Sequence, residues 1–150
     1  MSELSKKLIF SNTYHEIIIK ELADIYSISA EEIFDGSRKK NKIFAKRLYI
    51  FILRNMFFLT LYEIAEITNL HHASVIHHNR KFEFFYGKYA EDTEVYKRIQ
   101  NRILEVEIDE SIRLLEEKRK KIKKELTKLY KIKNNKNERQ ERKNLLTKQY

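Results

Sequence analysis

Residues 60–82, TLYEIAEITNLHHASVIHHNRKF, constrain this chain more than any other stretch. Thr60 and Glu63 have the spacing of a capping box, so a helix is expected from Leu61. Leu61, Ile64, Ala65 and Ile67 follow helical spacing. Thr68-Asn69-Leu70 then interrupts, and Asn69 tolerates a left-handed turn conformation. A second helix is expected from about His71, with Val75, Ile76 and Phe82 inward and His71, His72, Ala73 and Ser74 outward. Two short helices and a tight turn, with the second helix presenting its first turn, form the plan of a helix-turn-helix. An ordinary helical hairpin is the alternative.

The rest of the chain agrees with an all-α fold. It has no proline and only two glycines, Gly36 and Gly87, in 150 residues, so little breaks its helices. Asn12 or Thr13 opens a helix to about Tyr26, with Ile17, Ile18, Leu22, Ile25 and Tyr26 on one face. Ser29 and Glu32 suggest a second capping box, for a short helix stopping at Gly36. A third helix, about Lys40 to Phe57, is basic in front and apolar behind, and is expected to be central. Before and along it, SRKKNKIFAKR places six basic side chains in eleven residues. Arg38, Lys39 and Lys40 fall in the preceding loop, with Lys46 and Arg47 along the helix. A loop arginine suits a minor groove, and helix cations suit phosphates.

After Phe82, Phe84, Phe85, Tyr86 and Tyr89 are expected to pack on the domain, with Gly87 ending the second helix of the motif. Asp92 or Thr93 is expected to cap a long helix. Ile108, Ile112, Leu115, Arg119, Ile122, Leu126, Leu129 and Lys133 then follow 4-3 spacing, a heptad seam with two basic interruptions. Ile99, Ile103 and Val106 lie out of phase with it. Self-association through about residues 95–133, giving a homodimer, is the favoured reading, and packing in cis the alternative. Beyond Lys133 periodicity is lost, and a mobile or weakly helical basic tail is expected. The domain plan is an arm at 1–11, a DNA-binding domain at 12–90, a long helix at 91–133 and the tail at 134–150.

Charge points to a polyanion. Residues 117–150 hold 14 Lys/Arg and 4 Asp/Glu, a net of +10, against 17 and 18 in residues 1–116, a net of −1. No apolar run reaches membrane-spanning length, and no signal peptide follows Met1. Cysteine is absent, as in many cytoplasmic proteins. His71, His72, His77 and His78 contain no pair spaced by three or four, so no metal is expected. Neither a nucleophile–base arrangement nor a two-metal acidic cluster stands out, so no catalytic residue, cofactor or small-molecule substrate is expected.

SRKK before an apolar helix, then LYEIAEI, then HASVIHHNRKF, resembles the C-terminal DNA-binding domain of the bacterial replication initiator DnaA, across about residues 13–82. The resemblance implies a DnaA domain IV-like, Trp-repressor-like helix-turn-helix bundle followed by the long helix, binding double-stranded DNA. It implies Arg38 in the minor groove and Lys46 at a basic position meeting backbone or bases. His72 and Ser74 would reach major-groove edges, with Ala73 against a thymine methyl. Leu61 and Tyr62 would lie on the backbone, where the family has Leu-Pro. His77, Arg80 and Lys81 fall on further matching positions. Departures are Leu70-His71-His72 in place of Arg-Asp-His, and a turn that reads one residue shorter, so the recognised sequence is expected to differ. No GxxxxGK[ST] loop occurs, which fits a phage or mobile-element protein carrying this domain without the ATPase. A protein-interaction module using the long helix, and RNA binding through the tail, are the rival functions.

Overall fold

A hydrophobic run down one central helix sets the architecture. The computed structural model describes residues 9–88 and 90–149, with backbone alone at 85 and 90–92. Among these residues the order is α1 (Asn12–Tyr26), a 3₁₀ turn (Glu31–Phe34), α2 (Lys40–Met56), α3 (Leu61–Thr68), α4 (His72–Phe85) and α5 (Ala90–Thr147). The fold is all-α. It divides into two units, Met1–Leu104 and Glu105–Tyr150.

In the first unit α2 packs against α1, the 3₁₀ turn, α3 and α4. Leu48, Tyr49, Ile50, Ile52 and Leu53 are fully buried. A helix apolar on nearly every side must be surrounded, as the sequence requires. Around it lie Ile18 and Leu22 of α1, Ile33 of the 3₁₀ turn, Ile64 of α3 and Val75 of α4. Phe51 meets Phe82, Tyr86 and Tyr96 at ring separations of 4.7, 4.8 and 5.3 Å. These tilted and edge contacts add to the area buried. Ile99 and Ile103, early in α5, are also fully buried in this core.

Several local expectations shift. The buried face of α1 is Tyr14, Ile18, Ile19 and Leu22, while Ile17 and Ile25 are only half-buried. Ser11, rather than Asn12 or Thr13, holds the N-cap position of α1. At the 3₁₀ turn only half of the Ser29 box forms: the Ser29 amide donates to Glu32 Oε2 at 2.9 Å. Ile67 is exposed, and Thr68 takes the inner position, donating its hydroxyl to the Ile64 carbonyl at 2.7 Å. Phe84 is exposed, and Tyr86 packs against the core. The expectations for the Phe85 side chain, Tyr89 and most of the N-terminal arm lie outside the described residues. The α4 helix ends at Phe85, ahead of Gly87 (φ 81°).

α5 begins at Ala90, ahead of both expected caps, and continues to Thr147 through the segment expected to be mobile or weakly helical. The sequence explains that continuity, since no glycine or proline lies between 90 and 147 and lysine, glutamate, arginine and leucine favour helix. Val95, Tyr96, Ile99 and Ile103 face the core of the first unit, and the exposed apolar residues at heptad spacing start at Ile108.

Candidate nucleic-acid interface

The helix-turn-helix is built from its caps inward. Thr60 Oγ1 accepts from the Glu63 amide at 3.2 Å, and Glu63 Oε2 accepts from the Thr60 amide at 2.7 Å. The reciprocal pair fixes where α3 starts. Asn69 closes α3 in the left-handed conformation (φ 53°), and the Leu70 amide donates back to the Ala65 carbonyl at 3.2 Å. His71 caps α4, its Nδ1 accepting from the Ala73 amide at 3.3 Å. Val75, Asn79 and Phe82 hold the inner side of α4, with Ile76 half-buried.

That framing leaves the first turn of α4 at the surface. His71 and Ala73 are exposed, and His72 and Ser74 half-buried. His72 stacks on Tyr62 of α3, with ring centroids 3.8 Å apart and planes 8° from parallel. Tyr62 is 70% exposed, so the stack is a surface feature rather than part of the core. Leu61 is half-buried against the core. Further along α4, His77, Arg80 and Lys81 are exposed and share a shallow groove with Ala73, Ile76 and Phe84.

The basic segment before and along α2 divides into two behaviours. Arg38 and Lys39 are exposed, two and three residues past Gly36 (φ 77°). Lys40 is the first residue of α2, not part of the loop, and its Nζ lies 5.7 Å from the centre of the Phe44 ring. Lys42 is buried instead, held by Glu32 at 2.9 Å and by Asp35. The Ser29 amide and then Lys42 hold the Glu32 carboxyl below the usual range, Lys42 and then the Ser37 amide do the same at Asp35, and Asp35 and Glu32 hold the lysine above its own. Lys46 is also buried, at 4% exposure, and Arg47 is half-buried. Burial pulls the pKa of each downward. The basic front of α2 is therefore not all surface.

Lys46 and Arg47 instead meet α4 from behind. His78 is half-buried there, its imidazole pKa pushed down to about 4 by desolvation and then by Lys46, Arg47 and His77. His78 Nδ1 and Arg47 Nε are both buried without a hydrogen-bond partner. The structure thus brings Tyr62 to His72, and Lys46 and Arg47 to His78. The Tyr62–His72 stack and the His78 contact went unread in the sequence. An aromatic at the second residue of α3 and a histidine at the first residue of α4 are the signal for the stack.

Two short helices joined by a left-handed turn, the second offering its first turn to solvent, define a helix-turn-helix of the DNA-binding class. Residues 15–82 match the family described as the bacterial dnaA protein helix-turn-helix. Similar proteins are chromosomal replication initiator proteins DnaA from three bacteria. The one from Kosmotoga olearia is 32% identical over 68 residues, covering 45% of this chain and 15% of the relative. That of Pseudothermotoga lettingae is 29% identical over 82 residues, covering 51% and 18%. The Cutibacterium acnes protein is 32% identical over 89 residues, covering 59% and 18%. This chain thus spans less than a fifth of the length of each.

Proposed function

We propose that this chain binds double-stranded DNA with a sequence preference and acts by occupying its site, in transcription regulation or as an accessory of replication or of a mobile element. The observation that carries this reading is the first turn of α4. It lies at the surface of a braced helix, with His71 and Ala73 exposed and His72 and Ser74 half-buried, in a segment that matches the bacterial dnaA protein helix-turn-helix over residues 15–82. His72 and Ser74 would donate or accept at base edges in the major groove, and Ala73 would meet a thymine methyl. Leu61, Tyr62, His77, Arg80 and Lys81 would lie along the sugar–phosphate backbone, where they fix register rather than sequence. Arg38 would enter the adjacent minor groove, with Lys39 and Lys40 at its phosphates. Lys46 and Arg47 would act from behind α4, lending positive potential to the groove face.

Selection of bound duplexes from a random pool tests the reading. Arg38→Ala and His72→Ala should each weaken binding to the selected duplex by about tenfold or more, a loss of 1–3 kcal/mol per lost base contact, with a smaller loss on random duplex. Equal losses on both duplexes would reject base or shape readout by these side chains.

A further inference from the structure

Beyond residue 107 every described side chain of α5 is exposed, including a row of large apolar ones. Ile108, Ile112, Leu115, Ile122, Leu126 and Leu129 are between 47% and 64% exposed. In heptad terms Ile108, Leu115, Ile122 and Leu129 take position d, while Ile112, Arg119, Leu126 and Lys133 take position a. Such a seam needs a second helix. An unbroken α5 offers no turn at which it folds back on itself. The charges beside the seam decide which helix fits and which way it runs.

Those charges are Asp109, Glu116 and Lys123 at the e positions, and Lys118 and Glu125 at the g positions. In a parallel homodimer g of one helix faces e of the next heptad in its partner, so Lys118 would meet Lys123. Arg119 would also face Arg119, and Lys133 face Lys133, inside the seam. An antiparallel dimer pairs a with d, e with e and g with g. With its centre between Lys120 and Lys121, Ile112 lies level with Leu129 of the second copy and Leu115 with Leu126. Glu116 then faces Lys123, and Lys118 faces Glu125, each twice by symmetry. Arg119 packs beside Ile122, and Lys133 beside Ile108, so no two cations meet in the seam and both stems can snorkel outward. A slip of one heptad in one direction sets Lys123 against Lys123 and Glu125 against Glu125. In the other direction it sets Glu116 against Glu116 and Lys118 against Lys118; Asp109 then gains Lys123, but Leu129 falls level with Glu105 rather than Ile112, so apolar pairing is lost as well. Like charges across an interface disfavour wrong registers.

We infer that residues 108–133 form an antiparallel two-stranded coiled coil with a second copy of this chain, in that single register. The pairing is independent of what the helix-turn-helix binds.

The natural chain has no cysteine, so introduced thiols are unique. Ile108→Cys and Lys133→Cys full-length proteins, oxidised separately, should stay largely uncross-linked. Mixed before oxidation, they should form the disulfide-linked dimer. Cross-linking of each protein alone, with no gain on mixing, indicates the parallel arrangement and overturns the proposal. Analytical ultracentrifugation of the natural chain should show dimers at tens of micromolar, and a monomer at that concentration also overturns it. Lys118→Glu should raise the dissociation constant by about tenfold, since two attractive pairs become repulsive, and adding Glu125→Lys should restore it. In a parallel dimer Lys118→Glu would instead tighten association. Helix content by circular dichroism separates loss of pairing from loss of fold.

Discussion

His78 is the residue whose charge the fold resists. Its surroundings, half-desolvated and flanked by Lys46 and Arg47, favour the neutral imidazole, with a pKa of about 4 against 6.5 when unfolded. Between those values the unfolded chain binds the extra proton, so acidification favours unfolding. Stability of the first unit is therefore expected to be full above pH 6.5 and to fall as pH drops toward 4. Urea denaturation at pH 7 and pH 5, followed by the near-ultraviolet signal of the tyrosines, measures this. His78→Gln should flatten the slope over that interval, and an unchanged slope would place its origin elsewhere. Lys42 illustrates why single residues were hard to read. It sits in a run of basic residues that reads as surface, yet Glu32 and Asp35, ten and seven positions earlier, turn it into a buried paired cation. Nothing local in RKKNK distinguishes it from Arg38 or Lys39. Only the fold brings the 3₁₀ turn against the start of α2.

At the scale of elements, α3 depends on its cap more than a longer helix would. Eight residues are too few for propensity alone to hold a helix. Thr60→Ala should cost about 1 kcal/mol, and more than the same change at exposed Thr127 in α5. Differential urea denaturation of the two variants checks the difference. The element boundaries up to Asn69 were more legible than those of α5, which starts ahead of its expected caps and runs on to Thr147. The stop at Gly36, the Thr60–Glu63 box and the left-handed Asn69 each follow from a residue type whose backbone chemistry permits little else. Faces were less legible. On α1, Tyr14 and Ile19 replace Ile17 and Ile25 inside, because a helix with apolar residues on more than half its circumference leaves its phase to tertiary packing. On α3 the inner place expected for Ile67 goes to Thr68, whose hydroxyl is satisfied by its own helix. At the start of α5, Ile99 and Ile103 read as an isolated set because their partners belong to helices far earlier in sequence.

At the scale of the molecule, charge and shape of sequence are unevenly shared. The helix-turn-helix belongs to a segment of nearly balanced charge, while residues 117–150 carry the net excess of +10. If the proposed DNA complex makes about six phosphate contacts, the logarithm of its affinity should fall against the logarithm of salt with a slope of about −5. Replacing the exposed lysines of 136–148 with glutamine should make that slope shallower without changing which duplexes are selected. A slope unaltered by the replacement would place the phosphate contacts outside residues 136–148. Titrations of selected duplex across a salt series measure both outcomes.

The stacked pair on the surface of the helix-turn-helix carries a further implication. An imidazole lying flat on a phenol ring at 3.8 Å has already given up most of its rotational choice before any ligand arrives. Whatever docks at His72 therefore meets a ring with a settled heading, and must accommodate the tyrosine beneath it as part of the same platform.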